Sequence, residues 1–109
     1  MKLLSSTFAL ALASAALTAH GADATTNWTD KCAKCHGPDG KGETKMGRKL
    51  SIADLTDPAV QAKFTDADVI KSVKEGVKDK NGKVAMKPIE GLTDDEIAAL
   101  IPVVRALKK

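Results

Sequence analysis

The residues best suited to chemistry lie within five positions, Cys32-Ala33-Lys34-Cys35-His36. On a helical turn, positions three and four apart share a face, so both thiols and the imidazole point the same way. The C-x-x-C-H spacing is the pattern of c-type haem attachment, in which two thiols bond the haem vinyl groups and the histidine reaches the iron. We therefore predict one covalent haem c attached through Cys32 and Cys35, with His36 as an axial ligand of its iron.

Other uses of a cysteine pair fit this stretch less well. A structural zinc site needs four ligands, but the chain has no third cysteine and no other histidine near His36. A thioredoxin-like dithiol requires a preceding strand and a βαβ context, and the sequence offers neither. A short-loop disulfide and a dithiol redox protein without haem stay as alternatives.

The second axial ligand must come from another part of the chain. Met46 follows the attachment motif too closely to circle the haem, and we interpret it as a core filler. Met86 lies much further along, beyond two predicted helices, with Pro88 restraining its loop. We predict His36/Met86 ligation, which raises the reduction potential relative to two imidazoles and suits electron transfer.

The N-terminal stretch is typical of a secretory signal peptide. A basic start at Met1-Lys2 precedes an apolar run over 3–17, and small residues follow it. An uncleaved membrane anchor is the alternative, although the apolar run is shorter than the roughly 20 residues of a typical span.

Cleavage of this segment would leave one small domain. We predict a signal peptide over 1–21, with cleavage after Gly21 or Ala24, and a single domain over 22–109 that has no membrane span. His20 would leave with the signal peptide, so His36 would be the only histidine of the mature chain. Localisation in the periplasm, or export elsewhere, also suits haem attachment, which takes place outside the reducing cytoplasm, where free thiols would otherwise oxidise.

The rest of the chain predicts helices and no convincing strand. Capping boxes begin helices at Thr65 and Thr93, and Asp57-Pro58 begins a shorter one. Pro102 predicts a bend or an open turn in the last helix, and 37–56 is predicted as a long loop wrapped around the cofactor. The four predicted helices cover about 24–35, 58–64, 66–75 and 94–107.

These residues resemble the class I c-type cytochromes over nearly the whole chain that follows the signal peptide. Trp28 stands where the family has an aromatic residue four positions before the first cysteine, and 32–37 is similar to its attachment signature. Met86-Lys87-Pro88 resembles the distal Met-Pro with one residue inserted. The stretch 93–107 is similar to the terminal helix.

The sequence departs from the family pattern at several positions. The stretch 45–50 resembles the family's K-x-G-P-x-L, but Arg48 replaces the proline whose carbonyl accepts a hydrogen bond from the axial histidine. In the terminal helix Val103 replaces the usual aromatic residue, and Pro102 is a second departure.

The resemblance implies an all-α fold of about four helices around one haem and an exported one-electron carrier rather than an enzyme. The alternative is a haem protein with an open iron site, acting as a small-gas sensor or a peroxidase-like enzyme. It requires Met86 to be off the iron, and it lacks a distal histidine. The residues predicted to wall the haem pocket are Trp28, Leu50, Leu55, Phe64 and Leu100.

Charge restricts the partners. A formal net charge of +3 is too mild for a nucleic-acid-binding protein with a basic reading element. We expect a monomer that meets redox partner proteins. Lysines border the attachment helix and the Met86 loop, where they form either a docking rim for an acidic partner or an ordinary solvated surface. These lysines are Lys34, Lys41, Lys45, Lys78, Lys80, Lys83 and Lys87.

Overall fold

A computed structural model describes residues 23–109, so the predicted signal peptide over 1–21 lies outside the described residues. The described chain is mostly helical, which confirms the predicted all-α class. Its helices are Ala24–Asn27 (α1), Ala33–His36 (α2), Lys45–Lys49 (α3), Pro58–Gln61 (α4), Asp66–Glu75 (α5) and Asp94–Ala106 (α6).

The first predicted helix is present but contains a wider turn. Asp23 caps α1, its carboxylate accepting a hydrogen bond from the Thr26 amide at 2.9 Å. A π-helical turn over Trp28–Cys32 then joins α1 to α2, and the Ala33 amide bonds to the Trp28 carbonyl five positions back. Such turns are rare and often occur at functional sites. Here the turn ends at Cys32, the first cysteine of the attachment motif.

Helix α6 supplies three of the six buried hydrophobic residues among the described residues. It packs against α1 and α5. Its apolar residues repeat at helical spacing, which predicts one apolar face, and the buried residues of the helix lie on that face. It continues across Pro102, which has no amide proton to donate to the Ala98 carbonyl. The buried hydrophobic residues are Trp28, Cys32, Val73, Ile97, Leu100 and Val104.

The predicted caps are formed at three helices. Asp57 caps α4, and Thr65 and Thr93 close complete capping boxes at α5 and α6. Helix α4 ends at Gln61, earlier than the predicted end near Phe64, because the chain turns there through a Lys63 amide to Val60 carbonyl bond of 3.0 Å.

One short helix and two short strands were not predicted. Helix α3 lies inside the stretch predicted as loop, where the Thr44 hydroxyl caps it by accepting from the Gly47 amide at 2.8 Å. Strands Val77–Lys78 (β1) and Val84–Met86 (β2) pair antiparallel, with Val77 opposite Met86. Both strands are too short for an alternating pattern to identify them.

Candidate haem-binding site

The attachment motif is held by hydrogen bonds to its own backbone carbonyls. The Thr44 hydroxyl donates to the Cys35 carbonyl at 2.6 Å, and the Gly42 amide donates to the His36 carbonyl at 2.7 Å. These are carbonyls at the end of a helix, which have no partner within it. The loop after the motif therefore completes α2 and fixes its orientation.

A buried glycine allows this loop to lie close to the motif. A side chain at Gly47 would overlap the Gly42 carbonyl oxygen, and its Cβ would lie 2.6 Å from the Cys35 carbonyl oxygen. Backbone at such short range cannot move aside without shifting the whole turn. Gly47 is thus required for α3 to pack against α2.

The imidazole of His36 is half-buried beside the indole of Trp28, with ring centroids 5.7 Å apart. Its Nδ1 atom is buried and has no hydrogen-bond partner among the described residues. The bond to the Arg48 carbonyl that the resemblance implies is not formed. Arg48 lies in α3, and its carbonyl accepts instead from the Ser51 amide at 3.2 Å.

Burial shifts the pKa of both the His36 imidazole and the Cys32 thiol. Desolvation lowers the pKa of His36 below its ordinary value, which favours the neutral imidazole that can bind a metal. The same effect raises the pKa of the Cys32 thiol to about 11. Cys32 is buried, Cys35 is half-buried, and no disulfide joins them.

An apolar cavity of about 230 Å³ opens beside the attachment motif. Of the predicted site residues, Trp28, Cys32, His36, Leu55, Phe64, Met86 and Leu100 line it. Cys35 and Leu50 are not among the lining residues, and Leu50 is 36% exposed.

The two methionines lie in different surroundings. Met86 is half-buried in β2 and lines the cavity. Met46 lies in α3, is 38% exposed and is not a lining residue, so it does not fill the core as the sequence predicted. The cavity is thus reached by an imidazole from α2 and by a thioether from β2.

Sequence reasoning missed part of the lining. Val69, Val73 and Val77 repeat at a helical spacing of four residues, but the sequence alone does not assign them to the site. Val77 lies beyond the end of α5, in β1. Polar Asp68 and Ser72 lie on the same wall without a sequence signal. The missed lining residues are Asp68, Val69, Ser72, Val73, Val77 and Val104.

These residues fit a haem. The cavity is apolar, it presents a neutral imidazole and a thioether, and the attachment thiol Cys32 lies in its wall. The buried Nδ1 atom of His36 has no hydrogen-bond partner among the described residues. Burial of the ring lowers the pKa of His36 and so favours its neutral form. Within residues 23–109, no group of three or more His, Cys, Asp or Glu side chains could hold a metal ion.

Fold and cavity together define a small all-α haem protein with a c-type attachment motif. The family model for cytochrome c matches residues 21–108, and the chain belongs to the cytochrome c family. The solved structure of the KustC0563 c-type cytochrome is 35% identical, with a TM-score of 0.69, and the match covers 81% of this chain and 100% of that one. A tyrosine-to-phenylalanine variant of that cytochrome is 34% identical, with a TM-score of 0.66 and coverage of 80% and 100%. No curated protein matches this chain.

Family membership confirms two predictions. The cofactor is a covalent haem c with iron, and the protein is a haem electron carrier. Among the described residues, no helix is long and apolar enough to cross a membrane.

Proposed function

We propose that this chain is an exported one-electron carrier in which His36 and Met86 are the axial ligands of the haem iron. The observation that supports this is the convergence of the imidazole and the thioether on one apolar cavity from separate elements, α2 and β2. When bound, a haem with this ligand pair supplies a one-electron couple at a higher potential than a bis-histidine site.

The chain's own residues prepare this site in three ways. The thiols of Cys32 and Cys35 bond the cofactor and so fix its position relative to α2. Burial keeps the His36 imidazole in its neutral, ligating form. Apolar walls that include Phe64 and Leu100 exclude water, which tunes the potential of a metal site together with the ligands.

Absorption spectra of the oxidised and reduced protein test the ligand assignment. The methionine–iron charge-transfer band should be present in wild type, absent in Met86→Ala, and retained in the matched variant Met46→Ala. A band that survives in Met86→Ala and disappears in Met46→Ala would transfer the role to Met46. Rapid carbon monoxide binding by the reduced wild type would instead favour the open-iron alternative.

Export is the second part of the proposal, and the signal-like N-terminus supports it. Mass spectrometry of the protein recovered from the periplasm of a host competent in haem attachment provides the test. The mature chain should begin at Ala22 or Thr25. An intact N-terminus beginning at Met1 in the membrane fraction would indicate an anchor instead.

The third part concerns docking. Lys78, Lys80, Lys83 and Lys87 are exposed on or beside the hairpin that carries Met86, and we propose that they steer an acidic redox partner to this end of the molecule. Electron transfer to an acidic partner should slow as ionic strength rises. The double variant Lys80→Glu/Lys83→Glu should slow it at low ionic strength, unlike Lys108→Glu/Lys109→Glu, which changes net charge equally. A rate that is independent of salt in wild type would remove the docking role.

A further inference from the structure

The end of α5 meets the loop that carries Met86 at a single glycine. We propose that Gly76 is a positioning residue that allows this loop to dock against α5 and so holds the Met86 sulfur in the cavity. The inference rests on the proposed His36/Met86 ligation and assigns a role to a residue outside the ligand set.

Backbone conformation is the first reason that this position needs glycine. Gly76 ends α5 with φ 76° and ψ −176°. This region is essentially restricted to glycine, because a Cβ atom would collide with the neighbouring backbone. It also differs from the left-handed helical conformation of many helix ends, which asparagine can adopt.

The approach of the Met86 loop is the second and independent reason. A side chain at Gly76 would overlap the Met86 carbonyl oxygen, and its Cβ would lie 2.9 Å from Pro88 Cδ and 3.0 Å from Pro88 N. These neighbours are backbone and a ring closed onto backbone, so neither can rotate away. The loop itself would have to move.

Backbone contacts on either side of Gly76 complete what we call the Met86 clamp: the Val77–Met86 strand pair, the Ile89–Val73 hydrogen bond and the Gly76 approach. Val77 lies opposite Met86 in the sheet. The Ile89 amide donates to the Val73 carbonyl at 2.8 Å. Because Val73 and Val77 line the same cavity as Met86, docking of the loop determines where the thioether enters it.

A second glycine of the same hairpin provides a matched control. Gly82 has φ 78°, close to that of Gly76, but a Cβ built on it has no atom within 4 Å. Alanine at Gly82 therefore introduces backbone strain without a collision. Comparing the two positions separates the effect of a positive φ alone from the demands specific to Gly76, which include the collision with the Met86 loop.

The test uses the haem-loaded proteins Gly76→Ala, Gly82→Ala, Met86→Ala and wild type. In Gly76→Ala the methionine–iron band should be lost or greatly weakened, and carbon monoxide should bind the reduced protein several-fold faster than in wild type. Soret absorbance per chain and far-UV circular dichroism should match wild type. In Gly82→Ala the band and the binding rate should be unchanged.

The outcomes separate this inference from the ligand assignment. A band that is lost in Met86→Ala but intact in Gly76→Ala overturns the role of Gly76 and leaves the ligation in place. A band that persists in Met86→Ala overturns both.

Hydrogen exchange decides the matter if Gly76→Ala does not yield folded protein. Coupling between ligation and the clamp is reciprocal, so loss of the ligand should weaken the clamp. In Met86→Ala the Ile89 amide should exchange faster than in wild type, while the Ile97 amide in α6 keeps its rate. Equal Ile89 rates in the two proteins would overturn the inference.

Discussion

The two sides of the cavity are built differently. On the attachment side, Trp28 and Cys32 are buried, and the carbonyls of Cys35 and His36 are bonded by the following loop. On the Met86 side, the sulfur is carried by a two-stranded hairpin whose Val84 is 52% exposed. An isolated two-stranded hairpin is marginally stable by itself.

The two sides of the cavity therefore differ in how many contacts support them. The attachment side buries apolar surface and has several independent supports, so the loss of one leaves the others. The Met86 side depends on a few backbone contacts with α5, and regions with few buried contacts open most easily. The haem should therefore stay attached under conditions in which Met86, the ligand we propose, has already left the cavity.

Removing both thiols should have the largest effect on the attachment side. The double variant Cys32→Ala/Cys35→Ala has no sulfur with which to bond a vinyl group, so no covalent haem should form. Haem staining after denaturing electrophoresis measures this directly. Lys34→Ala, which changes an exposed position within the same motif, should keep its haem, and equal staining of both variants would contradict the prediction.

Truncation of the core distinguishes the two sides by stability. Leu100 is 1% exposed, and Leu100→Ala should lower the free energy of unfolding by about 3 kcal/mol, since it removes a buried side chain and leaves a cavity. Val84→Ala, on the exposed hairpin, should cost less than about 1 kcal/mol. Urea unfolding of the two holoproteins measures both, and similar losses would show that the sides are equally supported.

A partly buried polar network around Arg105 supports the segment that carries Phe64. The Arg105 guanidinium donates to the Gln61 carbonyl at 2.8 Å, to the Phe64 carbonyl at 2.9 Å and to the Asp66 carboxylate at 3.0 Å. It also lies 4.5 Å from the centre of the Phe64 ring. Arginine thus joins α6 to the segment that carries a cavity-lining aromatic residue.

Arg105→Met should therefore lower the free energy of unfolding by about 2 kcal/mol, because several partly buried acceptors lose their donor at once. Arg105→Lys should recover less than half of this loss, since an ammonium group lacks the planar fork. Urea unfolding is the measurement, and Lys108→Met is the control on the same helix. A loss no greater than that of the control would show that the network is dispensable.

Residues that are close in sequence were the easiest to predict. The attachment motif needs only helical spacing, and the caps at Thr65 and Thr93 need only a short pattern, so all three could be identified without tertiary information. The apolar stripe of α6, which includes Leu100, could be predicted for the same reason. Apolar residues that repeat with the helical period lie on one face of the helix.

Features that depend on long-range contacts were not predicted. Leu50 is apolar and was expected in the wall, but its direction is set by α3, which the glycine-rich sequence did not reveal. The pairing of Val77 with Met86 depends on where the Met86 loop comes back to β1. The sequence alone marks Gly76 only as a helix stop, since the neighbour that excludes a side chain comes from the distant Met86 loop.

The smallest expected effect concerns pH on the attachment side. Glu96 accepts from the Thr93 amide at 3.0 Å and from the Asn27 side chain at 3.2 Å, which joins the start of α6 to α1. The Thr93 backbone bond, followed by the Asn27 bond, lowers the pKa of Glu96 below its ordinary value of 4.5. A lowered pKa in the folded state stabilises the protein above the unfolded value, and this contribution disappears as the pH falls through the folded value.

Glu96→Gln should consequently be less stable than wild type at neutral pH, and the difference should shrink as the pH falls below 4.5. Urea midpoints of both proteins at neutral pH and at about pH 3 measure the change. Glu90→Gln, at an exposed loop position, serves as the control and should show a smaller difference at neutral pH. A gap between Glu96→Gln and wild type that widens toward acid would mean that the Glu96 carboxylate does not hold α6 to α1, and the attachment side would then have one support fewer than its hydrogen bonds indicate.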